Sequence, residues 1–256
     1  MSPDIHSVDE GLSARRIRAV IEYDGTDFCG FQVQARGRTI QGEIEQALAR
    51  VTGRTVRVVG AGRTDAGVHA SGQVVHATVT WRHDLAQLKR ALNAVLPGDV
   101  AVRDVEYAPP GFHSRFSAQS RVYAYHIWND EVPSPLHRRY SYCFDRYLDD
   151  LSMSQACGAL IGTHDFLPFG WAPQGDNTVR TVLEATCVRS GRSVVIEIEA
   201  DAFLRRMVRR IVANLMLVGL GKLSVEDFGR LLLLRDRRTP ASEAPSQGLC
   251  LLKVNY

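Results

Sequence analysis

The residue types best suited to chemistry lie together in GAGRTDAGVHASG, Gly60 to Gly72. Four glycines in so short a stretch imply tight backbone geometry or the close approach of a partner. The segment is not a phosphate-binding P-loop, because the Gly-Lys-Ser/Thr ending is absent. Nor is it a dinucleotide fingerprint, since Asp65 stands where the third glycine belongs. His69 and His76 lack a third ligand at metal-binding spacing, and isolated histidines are more often structural than ligating. What remains is Asp65, flanked by Arg63 and Thr64. Two readings of it stay open: a carboxylate that caps its own Asp-Ala-Gly turn, or one reserved for nucleophilic work.

Two other sets carry chemical potential. Arg205, Arg206, Arg209 and Arg210 fall opposite Leu204, Met207, Val208, Ile211, Val212 and Leu215 if the stretch is helical. Such a basic face reads as a solvated surface, a phosphate-binding surface, or a membrane or calmodulin contact. Tyr123 and Tyr125 alternate and so share one side of a strand, where aromatic side chains mostly fill cores.

Composition narrows the field. The 256 residues suffice for one large domain or two small ones, and 45% hydrophobic with 23% charged residues is ordinary for a globular protein. Of 31 basic residues only Lys89, Lys222 and Lys253 are lysines. Arginine grips phosphate through two donors and stacks on bases, so the excess fits nucleic-acid contact, although a GC-rich genome produces it as well. Five scattered cysteines form neither a disulfide framework nor a zinc cage. No apolar run approaches the ~18 residues of a membrane span. MSPDIHSVDEGLSARR lacks the apolar centre of a signal peptide, so a cytoplasmic location is expected.

The elements that must position these residues come in a repeated order. Residues 1–14 are polar and aperiodic and are expected to be a disordered tail. Arg16–Tyr23 reads as a strand, and Ile40 to Val51 as a helix capped by Thr39. Strands follow at Val56–Val59 and Gln73–Thr80. Asp84 with Gln87 opens a helix that ends at Pro97-Gly98, before a strand at Val100–Tyr107. After Pro109-Pro110-Gly111 the scheme restarts with a strand at Arg121–Trp128 and a helix opened by Ser152 and Gln155 that ends near Gly162. Strands Val182–Arg189 and Arg192–Glu199 flank a Ser190-Gly191 turn. Helices at Ala202–Leu217 and Val225–Leu234 precede a strand at Leu249–Asn255. Each half therefore reads β-α-β-β-α-β, the split-βαβ or ferredoxin-like unit. The expected fold is α+β: halves 15–110 and 111–256 joined into one extended antiparallel sheet, helices on one face, a catalytic cleft between the halves.

GRTDAGVHA resembles the signature of the tRNA pseudouridine synthase I family. Further blocks agree in order and spacing: EYDGTDFCGFQVQ, TIQGEIEQAL, FHSRFSAQSRVYAYHI, GTHDF, AFLRRMVRRIV and APSQGLCLLKVNY. The similarity spans nearly all of Arg16 to Tyr256. It implies an isomerase that breaks the N1–C1′ bond of uridine, rotates the uracil and rejoins it through C5. No redox change occurs, so neither cofactor nor metal is expected. The nucleophile of the family falls on Asp65. A carboxylate suits that role, being ionised at neutral pH from a reference pKa of ~3.9 and able to bond glycosidic carbons. By the same resemblance Tyr123 stacks on the uracil and assists proton removal from C5, and Arg209 pairs with the nucleophile. Arg63 enters the space vacated by the base or holds the phosphate backbone, and Arg205, Arg206 and Arg210 contact phosphates. The implied substrates are uridines 38, 39 and 40 of the tRNA anticodon arm, gripped by a homodimer; the rivals are a non-catalytic RNA-binding protein and a synthase for another RNA. Two departures stand out: Glu243-Ala244-Pro245 where Thr-Ala-Pro is frequent, and Cys250 where an aromatic is common. Neither is expected to touch the catalytic set.

Overall fold

Alternation along Arg15–Tyr23 sends Ile17, Ala19, Ile21 and Tyr23 to one face, and all four are buried in the first strand, β1, of a computed structural model that describes residues 13–256. The tail expected over residues 1–14 lies outside these described residues, except for its last two. Helix α1 (Ile40–Thr52) begins where the Thr39 hydroxyl accepts from the Gly42 N–H, and ends at Gly53 in the left-handed region at φ 71°. Strands β2 (Val58–Gly60) and β3 (His69–Val79) bracket the glycine-rich segment. Helix α2 (Leu85–Val95) is capped by the Asp84 carboxylate, which accepts from the Gln87 N–H, and β4 (Val100–Tyr107) follows. Ile44 and Leu48 of α1 and Leu92 of α2 meet Ile17, Ala19, Ile21, Val75, Ala77 and Val102 of the sheet. A fully enclosed side chain such as Ile21 or Leu88 contributes about 1.5–3 kcal/mol.

The second half holds β5 (Ser120–Asn129), β6 (Tyr142–Phe144), α3 (Asp150–Gly158), β7 (Gly162–Asp165), β8 (Val179–Ser190), β9 (Ser193–Ala200), α4 (Met207–Gly219), α5 (Val225–Arg230) and β10 (Leu249–Asn255). Two expectations fail here for identifiable reasons. Helix α3 is capped by Asp149, which accepts from both Leu151 and Ser152, so Ser152 lies inside the helix and the end comes four residues before Gly162. Helix α4 starts at Met207 and not at Ala202. Arg205 is held extended by two backbone bonds to Trp171 (2.9 and 3.3 Å), and Arg206 then takes φ 67°. Strands β6 and β7 are too short to leave an alternating pattern.

All ten strands form one sheet, ordered β4-β1-β3-β10-β5-β9-β8-β7 with β2 on β3 and β6 on β5. The pairs are antiparallel except β10 with β3 and β5 with β6. The same order appears twice: β4-β1-β3-β2 in the first half and β10-β5-β9-β8 in the second. The seam between them is β3, which changes partner along its length. Val75–Ala77 pair with β2, whereas His69 and Ala70 pair in parallel with Cys250 and Leu251 of β10. Gly72 sits at the crossover, where any Cβ would stand 2.1 Å from the Leu252 carbonyl oxygen. Strand β3 therefore begins four residues earlier than alternation suggests, because its first residues are held by a strand some 180 positions away in sequence, as in the Ser71–Leu252 contact.

Candidate active site

The glycine-rich segment leaves the sheet where β2 ends and β10 begins, so Ala61–Val68 stands on the seam. Its core is a β-turn closed by the Val68 N–H donating to the Asp65 carbonyl (3.2 Å), with Gly67 at φ 75° in the position that demands a positive value. A Cβ on Gly67 would also lie 2.5 Å from Ser246 Oγ, so the turn is packed against the chain ahead of β10. Below the turn, Thr64 is buried with its hydroxyl 2.8 Å from that of Tyr23, and its carbonyl accepts from the Phe31 N–H (3.0 Å). Gln73 donates to the Gly62 carbonyl (3.0 Å). These groups fix the backbone on either side of Asp65, and the sequence alone did not single out Tyr23, Thr64 or Gln73 for it.

The Asp65 carboxylate itself accepts no hydrogen bond among the described residues, and it is 34% exposed. The turn-cap reading fails on that geometry: the carbonyl closes the turn and the carboxylate is left over. Its nearest cation is Arg209, Nη1 to Oδ2 3.9 Å, and the Arg209 side chain is only 14% exposed. The guanidinium is anchored by Nε donating to the Ala244 carbonyl (2.7 Å), while the Ala244 N–H donates back to the Arg209 carbonyl (3.0 Å).

Tyr123 approaches from β5, paired across the sheet with Leu251 and Ile198. Its ring lies edge-on to Phe203 at 5.0 Å, and its hydroxyl makes no hydrogen bond among the described residues. Burial pushes the Tyr123 phenol above its usual range, and the nearby Tyr23 and Asp65 reinforce this against the pull of Arg121. The phenol is therefore neutral at physiological pH. Tyr125, on the same face as expected, is spent structurally: its hydroxyl donates to the Pro245 carbonyl at 2.8 Å.

Among the arginines, the structure divides what helical periodicity had grouped. Arg63 is exposed and has no hydrogen bond or ion pair among the described residues. Arg205 and Arg206 are exposed just ahead of α4, Arg206 with its guanidinium 5.8 Å from the Trp171 ring centre. Arg210 corrects the phosphate-contact expectation. It is 7% exposed, donates to the Arg237 carbonyl and to Thr239 Oγ1 (3.1 Å), and packs 5.2 Å from Trp171. Asn214, one turn on, exchanges two hydrogen bonds with Ala241, both 3.1 Å. Arg209, Arg210 and Asn214 thus stitch α4 to the stretch 237–244.

That stitching corrects a second expectation. Glu243, the departure thought to lie outside the catalytic set, rests on Arg209, Oε2 to Nη1 3.6 Å, and on Arg206, Oε1 to Nη1 3.4 Å. The two histidines of the first reading serve the backbone instead: His69 Nδ1 accepts from Gly25 and His76 Nδ1 from Ser114. No helix among the described residues is long and apolar enough to cross a membrane.

A free carboxylate on a turn, with a guanidinium held beside it from α4 and a neutral phenol on β5, can attack an electrophilic carbon and relay a proton. The pattern of the tRNA pseudouridine synthase family matches residues 19–117 and 156–256. The chain is 44% identical over 246 residues to a tRNA pseudouridine synthase A of Roseiflexus castenholzii, covering 94% of this chain and 91% of the relative. It is 45% identical over 250 residues to that of Chloroflexus aurantiacus (94% and 89%), and 42% over 246 residues to that of Pseudothermotoga lettingae (94% and 100%). Matches on both sides of the seam, taking in the Asp65 turn, α4 and the stretch 237–244, mean that the chain belongs to the tRNA pseudouridine synthase family, a family of isomerases.

Proposed function

We propose that this protein converts uridines 38, 39 and 40 of the tRNA anticodon arm to pseudouridine, with Asp65 as the nucleophile. The observation that carries the reading is the unspent carboxylate of Asp65 beside Arg209, on a turn whose own hydrogen bond is made by the backbone. The target base leaves its stack at a cost of a few kcal/mol, and Arg63, exposed two residues from Asp65, fills the space or holds the strand. Asp65 forms a transient bond to the nucleoside as the N1–C1′ bond breaks, the uracil turns, C5 bonds to C1′ as the Asp65 carboxylate is released, N1 takes up a proton, and C5 loses its own. Tyr123 stacks on the uracil, and its neutral hydroxyl helps to carry that proton. Arg205 and Arg206 contact phosphate. A homodimer grips one tRNA across both subunits, reading shape and backbone more than base identity, which lets one site serve three neighbouring targets.

The test is to incubate the purified protein with unmodified tRNA transcripts carrying uridine at 38, 39 or 40 and to map pseudouridine by carbodiimide primer extension. Stops at these positions and nowhere else in the same transcripts are expected. Pseudouridine confined to another arm would contradict the assignment of the target.

A further inference from the structure

Arg209 Nη1 stands between two carboxylates, 3.9 Å from Asp65 and 3.6 Å from Glu243, and is in hydrogen-bond contact with neither. Its Nε is already spent on the Ala244 carbonyl. Glu243 cannot drift away from it, because Ala244 is bonded to Arg209 on both sides, the Pro245 carbonyl accepts from Tyr125, and Ala241 is held by Asn214. Arg206 closes the far side of the Glu243 carboxylate at 3.4 Å, from a left-handed backbone (φ 67°) that non-glycine residues seldom adopt without a functional reason. Glu243 Oε2, the oxygen facing Arg209, is buried without a hydrogen-bond partner. The charge of this oxygen bears on Arg209, 3.6 Å away, the cation that serves Asp65, while Oε1 faces Arg206.

We infer that Glu243 is a positioning residue: it draws the Arg209 guanidinium back so that Asp65 keeps a nearby cation without a direct hydrogen bond, and its carboxylate oxygens stay free to attack. The inference rests on the assignment of Asp65 as nucleophile. Without the Glu243 charge, Arg209 closes on Asp65 to a charge-assisted bond of about 2.7–2.9 Å, which ties up the attacking lone pairs. Arg209 from α4 and Tyr123 from β5 act on Asp65, Glu243 from the stretch before β10 stands against Arg209, and Arg63 is exposed two residues away on the same loop. A Glu243→Gln variant removes the charge that faces Arg209 and, on its other oxygen, the one that pairs with Arg206.

The experiment compares wild type, Glu243→Gln and Asp65→Asn in steady-state isomerisation of tRNA across pH. In Glu243→Gln, kcat is expected to fall roughly 5- to 10-fold, the size of effect a charge at this range exerts near a protein surface. KM should stay or drop, because a negative charge has left the RNA side. The acidic limb of the kcat profile should move to lower pH, since a closer guanidinium favours the charged carboxylate. An unchanged kcat with an unmoved limb, or a change in KM alone, would overturn the inference and leave Glu243 as a surface charge tuning RNA affinity through Arg206. Glu243→Thr, which removes the same charge with a different side chain, must reproduce the Glu243→Gln result, so a folding defect of one variant does not decide the matter. An active Asp65→Asn enzyme would strike the nucleophile assignment and this inference with it. An inactive one beside an unaffected Glu243→Gln strikes this inference alone.

Discussion

At the scale of single residues, the site works through groups that the fold leaves unspent. The Asp65 carboxylate and the Tyr123 hydroxyl make no hydrogen bonds among the described residues, whereas Thr64, Tyr125, Arg210 and Asn214 around them are each committed. Tyr123→Phe keeps the ring, its packing on Phe203 and its stacking surface but removes the hydroxyl. If that hydroxyl relays the C5 proton, kcat should fall on the order of 10²-fold, the usual contribution of one acid–base group, with tRNA affinity nearly unchanged. Wild-type turnover in stopped assays of this variant would confine Tyr123 to stacking. That Arg209 stands beside Asp65 was legible in the sequence, because both sit in motifs whose spacing the resemblance matches. Glu243 was not, for a physical reason: its partners Arg206 and Arg209 lie more than thirty positions away, and only the hydrogen bonds of Ala241 and Ala244 to α4 bring it there. Periodicity likewise put Arg210 on the polar face of a longer helix, whereas the chain enters the helix at Met207 and folds the stretch 237–239 over it.

At the scale of elements, the seam is secured by loops bonded across it. Ser114 lies on the connection between β4 and β5; its N–H donates to His76 Nδ1 on β3 (3.1 Å) and its hydroxyl to the Val59 carbonyl on β2 (2.8 Å). A ring nitrogen that accepts must be unprotonated. Burial, helped by the charges of His113 and Arg16, lowers the His76 pKa from 6.5 to about 4. Above pH 6.5 both folded and unfolded chains carry the neutral ring, and the contribution of His76 to stability is complete. As pH falls from 6.5 to about 4 the unfolded chain takes up a proton that the folded one refuses, so stability is lost across that window. Tm should drop between about pH 7 and about pH 5, and less steeply in His76→Gln, when both are followed by circular dichroism. Parallel slopes would remove His76 from the account. Elements fixed by local chemistry were readable in advance: the Thr39 and Asp84 caps, the β8–β9 turn at Gly191 (φ 59°), and β10 to the residue. Elements fixed by distant partners were not, as with the start of β3 against β10, or β6 laid along Ile127–Asn129.

At the scale of the molecule, arginine abundance overstates the surface available to RNA. Many arginines are bound to carboxylates: Arg38 to Asp99 and Glu43, Arg103 to Glu22, Arg139 to Asp24, Arg189 to Asp150, Arg192 to Asp130 and Arg230 to Glu226. The proposed phosphate contacts are left to exposed guanidinium groups with no carboxylate partner among the described residues, such as Arg63 and Arg205. Each phosphate neutralised on a single strand adds roughly 0.7 to the negative slope of log affinity against log salt. Filter binding of tRNA should therefore weaken steeply with salt, and a combined Arg63→Ala, Arg205→Ala variant should lose about 1 to 2 units of slope. A wild-type slope near zero would contradict an electrostatic grip.

The central claim is that Asp65 acts through its carboxylate, and Asp65→Asn tests it most directly. Asparagine keeps the size of the side chain, and the backbone bond that closes the turn does not depend on the carboxylate. Asp and Asn substitute well for each other in such turns, so fold and tRNA binding should persist, the latter carried by phosphate contacts elsewhere. The measurement is tritium release from tRNA labelled at uridine C5, paired with a filter-binding titration of the same variant. Release indistinguishable from background with tRNA still bound is the predicted result. Substantial release by the asparagine enzyme would contradict the account.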